Sequence, residues 1–166
     1  MKTVELIELE DILEINKEVC AVVRQKSVCM DRDKIESALG AAFYPGNYPF
    51  YHGGIPRVAG ALCFFLIKAH AFMDANKRTA ALAATMFMDL NGYELRYPLN
   101  VIGGVTAFTN VIEKAAASEI TKDELIEWFD EHKKSLVAPK ITKVHDDSGQ
   151  AYEVRALDGG LMVKSE

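Results

Sequence analysis

The chain has 166 residues, 49% of them apolar, and a formal net charge of −5. That length fits one domain with a small appendage. The acidic balance excludes a broad basic surface for gripping a nucleic-acid groove, and the apolar runs are too short and interrupted to span a bilayer. The acidic opening MKTVELIELEDI is unlike a secretory leader, so a cytoplasmic protein is expected. Cys20, Cys29 and Cys63 form no CxxC pair and sit among apolar residues, which reads as buried free thiols in a reducing compartment.

In VELIELEDILEINKEVCAVV, Leu6, Leu9, Ile12, Leu13, Val19 and Val23 recur near helical spacing. Asp33 followed by Glu36 reads as the capped start of a second helix, with Ile35, Ala38, Leu39 and Ala42 on one face. FYPGNYPFYHGG then breaks the pattern with prolines, glycines and aromatics, as a loop or short irregular hairpin does. Ile55-Pro56 opens a third helix. Its run to about Ala69 is apolar nearly all round, which predicts a central, buried helix. TAALAATMFMDL predicts a fourth, stopped by Asn91-Gly92. Tyr97-Pro98 is a break. The stretch from Asn100 to Ala116 reads as a fifth helix through Val101, Val105, Phe108, Val111 and Ile112, weakened by Gly103-Gly104. Thr121 and Glu124 form a capping box for a last helix, reaching about Lys134 through Leu125, Trp128 and Phe129. From residue 136 apolar and polar residues alternate around DDSG and DGG, which predicts two or three short strands. The whole is an all-α body of about six helices over 1–135 with a β-like extension over 136–166.

Between the third and fourth helices lies HAFMDANKRTA, residues His70 to Ala80. Each polar residue in it has a plain structural reading: Asp74 and Asn76 as caps, Lys77 and Arg78 as solvated charges. Together they suit an anion site. A helix N-terminus carries open N–H groups and the positive end of the dipole. Lys77 and Arg78 add charge, Asp74 is placed to hold Mg²⁺, which favours carboxylate, phosphate and water oxygens, and His70 can serve as a general base. These are the parts that phosphoryl or nucleotidyl transfer uses.

His70, Phe72, Asp74, Ala75, Asn76, Lys77 and Arg78 match the Fic/Doc signature HxFx[DE][GA]N[GK]RxxR, and the chain over about 3–135 resembles that family. DRDKIESAL, NGYEL and ITKDELIEWF resemble its death-on-curing (Doc) branch. The resemblance implies an all-α Fic/Doc domain with a short β-hairpin flap, and ATP and Mg²⁺ as cofactors. It implies His70 as base toward a hydroxyl of a target protein, Phe72 as a structural anchor of the loop, and Asp74 as the Mg²⁺ ligand. Ala75, Asn76, Lys77 and Arg78 would be the phosphate-binding set, Asn76 through the backbone N–H groups of an anion hole.

Two departures sort the subclass. Lys77 stands where most Fic enzymes have Gly, and Ala81 where they have a second Arg. Those enzymes transfer AMP; the Doc branch shares both departures and resembles kinases that transfer the γ-phosphate. The resemblance therefore implies a Doc-like toxin of a toxin–antitoxin module, acting on elongation factor Tu or a similar target. The alternatives are a Fic-type adenylyltransferase and an inactive module that binds nucleotide or partner. Tyr48, Phe50, Tyr51 and His52 fall in the expected target-binding flap. The inhibitory pattern [ST]xxxE[GN] does not occur, so an antitoxin supplied in trans is the expected control. Asp146-Asp147 with Ser148-Gly149 reads as a hairpin turn, and His132 as a contact with a helix C-terminus.

Overall fold

The computed structural model describes residues 4–44, 51–99, 101, 103–136, 140–157 and 160–165. The chain falls into two compact units, Met1–Ser135 and Leu136–Glu166. The first contains six helices among the described residues: α1 (Leu9–Val22), α2 (Arg32–Phe43), α3 (Ile55–Ala69), α4 (Asn76–Leu90), α5 (Ala107–Ala116) and α6 (Lys122–Glu131). Two three-residue strands, β1 (Tyr93–Leu95) and β2 (Lys133–Ser135), pair antiparallel with Tyr93 opposite Ser135.

The centre is α3. Its residues Val58, Ala59, Ala61, Leu62 and Cys63 are fully buried, and α2, α4 and α6 pack around it. Small residues set how closely the neighbours come. A Cβ placed on Gly60 would lie 2.9 Å from the Ile126 Cα and 3.3 Å from the Leu125 carbonyl oxygen, so the α3–α6 approach has no room for one. Across the seam with α4, Ala80, Ala83 and Ala84 are buried, and Phe87 meets Phe43 of α2 at 5.2 Å between ring centroids. On the α6 side an ion-pair cluster closes the edge: Arg57 reaches Glu127 at 2.9 Å and Asp130 at 3.6 Å, and Lys133 reaches Asp130 at 2.7 Å. The hydrogen bond from Lys133 holds the Asp130 carboxyl below its ordinary range.

Several boundaries differ from those expected. The cap of α2 is Asp31, whose carboxylate accepts from Asp33 and Lys34 N–H, so Asp33 lies inside the first turn. The fifth helix is shorter than expected, because Gly103 and Gly104 adopt φ of +63° and +82° in a turn; α5 starts after Thr106, whose side chain accepts from Thr109 N–H. Val101 and Val105 are left exposed. The capping box of α6 forms as read, Thr121 with Glu124. That helix stops at Glu131, since Lys133–Ser135 pair with β1 and Arg96 N–H donates to the His132 carbonyl at 2.7 Å. Asn91 does more than end α4: its side chain exchanges two hydrogen bonds of 2.8 Å with the Glu5 backbone, clasping the N-terminal segment to the far end of the helix.

The second unit is an antiparallel meander, β3 (Lys140–His145), β4 (Ala151–Leu157) and β5 (Gly160–Ser165). Asp146 makes the turn between β3 and β4. Its carboxylate accepts from the N–H groups of Ser148 and Gln150, and Gly149 takes φ +85°.

Two effects oppose each other in Gly60→Ala. Helix propensity favours Ala by about 1 kcal/mol, while forcing a methyl against main chain that cannot swing aside costs about 2–3 kcal/mol, the upper part of the range for overpacking. We expect a net loss of about 1–2 kcal/mol in urea denaturation. An unchanged or higher midpoint would show that α3 and α6 can move apart freely.

Candidate active site at the joint of α3 and α4

The polar joint is a loop bracketed by two residues in the left-handed region. His70 ends α3 at φ +46° and Ala75 precedes α4 at φ +61°. Neither is glycine, so each conformation costs on the order of 1 kcal/mol and must be held by its surroundings.

Three sets of contacts hold it. Asn76, the first residue of α4, turns its buried amide back on the loop: Oδ1 accepts from Phe72 N–H at 3.0 Å and Nδ2 donates to the Phe72 carbonyl at 2.8 Å. The Phe72 ring is buried in the core. The segment before α2 then lies alongside. Met30 N–H donates to the Ala71 carbonyl at 2.8 Å, Met73 N–H donates to the Val28 carbonyl at 3.0 Å, and Cys29 bridges Phe72. From α1, Asn16 Nδ2 donates to the Asp74 carbonyl at 3.0 Å.

The result is an open pocket of about 370 Å³ lined by His70, Asp74, Ala75, Asn76, Lys77 and Arg78, with Ile67, Met73 and Ala116 as its apolar part. The structure thus brings together every motif residue assigned to base, metal and phosphate. His70, Asp74, Lys77 and Arg78 are exposed; Ala75 and Asn76 are buried. The first N–H of α4 taken by a helical carbonyl is that of Thr79, bonded to the Ala75 carbonyl at 2.9 Å. Those of Asn76, Lys77 and Arg78 have no backbone acceptor among the described residues, so three donors and the positive helix end face the pocket. Because the Asn76 side chain is spent on Phe72, it offers an anion only its backbone.

Asp74 Oδ1 accepts from Ala75 N–H at 2.7 Å; Oδ2 takes no hydrogen bond among the described residues. One carboxylate oxygen beside a phosphate cradle fits Mg²⁺, which completes its shell with phosphate and water rather than with a protein cage. Lys77 Nζ lies 2.9 Å from both carboxylate oxygens of Glu113 on α5, so its charge is already engaged. Arg78 has no acidic partner among the described residues. Of the three thiols expected to be buried, Cys20 is buried against Asn16 and Cys63 is buried, which pushes its thiol well above its ordinary value, while Cys29 is only partly buried.

Of the expected flap residues, Tyr48 and Phe50 lie outside the described residues. Tyr51 is 73% exposed. His52 is half-buried, its Nε2 donating to the Ala41 carbonyl at 3.1 Å and its ring beside Phe65. Residues 51–54 form a turn into α3, Phe43 closes α2, and no strand occurs here among the described residues. His132 caps α6, its Nδ1 donating to the Trp128 carbonyl at 2.7 Å and its ring stacked on Trp128.

Asn16, the Val28–Met30 segment, Thr79 and Glu113 belong to the site's support and escaped the reading of the sequence. Asn16 had a signal: it is the one polar residue of the buried α1 stripe Ile12, Ile15, Asn16, Cys20, and a polar group there needs partners. Glu113 had none, since an exposed acid on a helix is ordinary.

No curated protein matches the chain. A family model described as the Fic/DOC family matches residues 6–88, half of the chain, from the segment before α1 to the last turn of α4. That span takes in the loop, its supports from α1 and 28–30, and every pocket residue except Ala116 of α5. The chain belongs to the Fic/DOC family, whose members are protein-modifying enzymes that generally transfer nucleotide groups.

Proposed function

We propose that this member is a Doc-like toxin of a toxin–antitoxin module, a Mg-ATP-dependent phosphotransferase. It would place the γ-phosphate of ATP on a hydroxyl side chain of a translation factor such as elongation factor Tu. The observation that carries the reading is Lys77 together with Ala81. A cationic side chain stands at the pocket's helix end, and no second Arg follows one turn along α4 to clamp the phosphates for AMP transfer.

In that reaction the target oxygen bonds to the γ-phosphorus as the bond to the β–γ bridging oxygen breaks. ADP leaves with the bridging electrons, and the hydroxyl proton passes to a His70 ring nitrogen. The N–H groups of Asn76, Lys77 and Arg78 hold the phosphate oxygens, and the Arg78 guanidinium supplies charge without giving up an internal partner. Mg²⁺, held by Asp74, would neutralise phosphate charge. Control would come from an antitoxin in trans, a reading supported by the lack of the inhibitory pattern.

One observation favours a second reading, adenylyl transfer. Glu113 engages the Lys77 ammonium, so the phosphate site keeps backbone donors and one guanidinium, as in an enzyme with Gly at that position.

Mg-ATP labelled at the γ or the α position, incubated with elongation factor Tu, separates the two. We expect label from γ only; label from α makes the protein an adenylyltransferase. His70→Ala should cut transfer by about 10³-fold, within the range for a lost general base; transfer that survives it would remove His70 from the chemistry.

Lys77→Gly should weaken γ-transfer and admit AMP transfer, while unchanged γ-transfer would discharge Lys77 as the determinant. Glu113→Gln removes a negative charge that competes with phosphate for Lys77. Exposed pairs are worth about 0.2–1 kcal/mol, so the KM for ATP should fall by up to about fivefold with kcat little changed. A raised KM would instead make Glu113 part of the nucleotide site.

A further inference from the structure

Asn16 lies on α1, far in sequence from the motif, and is wholly buried. Its amide uses all of its hydrogen-bonding capacity. Nδ2 donates to the Asp74 carbonyl at 3.0 Å and to Thr79 Oγ1 at 3.1 Å. Oδ1 accepts from Ser27 Oγ at 2.5 Å and from Cys20 Sγ at 3.7 Å. The orientation is forced: the Asp74 carbonyl has no proton to give, so the atom facing it must be the NH₂.

This geometry has a consequence at the pocket. One NH₂ group holds the peptide that carries Asp74 and the first turn of α4 that carries the phosphate donors. Thr79, the second acceptor, is buried and is also the first residue whose N–H enters the helix ladder. A side chain outside the loop thus ties the Asp74 peptide to the first turn of α4. Ser27 and Cys20 fix the other end of the amide, so it cannot turn without breaking further bonds. The part-buried Asp74 carbonyl and the buried Thr79 hydroxyl both lose a donor when Asn16 is lost, which gives the loop reason to move.

We infer that Asn16 is a positioning residue that aligns the Asp74 carboxylate with the anion-binding end of α4. The alignment of the loop stands on the geometry above; its consequence for a metal rests on the role proposed for Asp74. Ser27 serves as the comparison, because it touches the same amide and not the loop.

The test uses the full chain and three variants. Asn16→Leu keeps the volume and removes both donors; Ser27→Ala removes only the far contact; Asp74→Ala removes the carboxylate. Two readouts are taken well below each thermal midpoint. One is hydrogen exchange at the Phe72, Met73 and Thr79 amides without ligand. The other is Mn²⁺ binding, followed by electron paramagnetic resonance with a non-hydrolysable ATP analogue. Asn16→Leu should speed exchange at these three amides about tenfold beyond Ser27→Ala and weaken Mn²⁺ binding by about tenfold, as loss of a ligand's supporting hydrogen bond does. Ser27→Ala should stay within about twofold of the parent. If both variants change exchange and Mn²⁺ binding in step with their loss of stability, Asn16 is ordinary packing and the inference falls. Mn²⁺ binding indifferent to Asp74→Ala would overturn the proposed metal site instead, and the exchange comparison then decides the alignment alone. Should Asn16→Leu not fold, Thr79→Val removes one acceptor at constant volume. About threefold faster exchange at Phe72 and Met73 then supports the inference, and no change overturns it.

Discussion

Two hydrogen bonds between the Asn76 amide and the Phe72 peptide group close the loop on itself. They close five residues into a ring at the start of α4. The left-handed His70 lies just before this ring and the left-handed Ala75 within it. With the Phe72 ring buried in the core, Asp74, the one polar residue between Phe72 and Asn76, is exposed and lines the pocket. The helical body can be seen as support for this ring: α3 and α4 set its ends, α1 and the 28–30 segment brace its back, and α5 contributes the opposing wall.

The electrostatics of the site divide between fixed and movable parts. The helix end and its three open N–H groups cannot relocate. The Lys77 ammonium can, since it sits on a long, half-exposed side chain against an equally exposed Glu113. In water such a pair is weak, so a phosphate bound as proposed would compete for the ammonium on favourable terms. Under the proposed function, the choice between the two transfer chemistries would fall on this exposed ammonium, whose acidic partner Glu113 lies outside the stretch matched by the family model.

How much of this could be read from the sequence varied with the kind of force involved. The central helices were legible because burial imposes a period: Ile55-Pro56 opens α3 and Asn91-Gly92 closes α4 where the apolar pattern says they should. The motif residues were legible because their spacing is fixed by the loop. Helix ends near Gly103-Gly104 and beyond Glu131 were not. There a turn and a two-strand pairing between residues some forty apart in sequence overrode local preference, and no local pattern announces a partner that distant. The Asp33 reading failed by two residues for a related reason: Asp31 and Asp33 are both good caps, and the pairing of Met30 with Ala71 favours the earlier one. Asn16 was visible as an anomaly on an apolar stripe, but its partners belong to tertiary structure.

The open N–H groups at the start of α4 bear on how this protein tolerates change. Most of the anion cradle is main chain, and replacing a side chain leaves the main-chain donor in place. Alanine substitution along Asn76–Arg78 reports on the Asn76 ring closure and on two cations, and never on the cradle itself. If the proposed function holds, drift in these side chains would alter which phosphate is presented for transfer and leave the main-chain donors in place. A site built this way would keep the main-chain part of its affinity through changes in the side chains that the backbone displays.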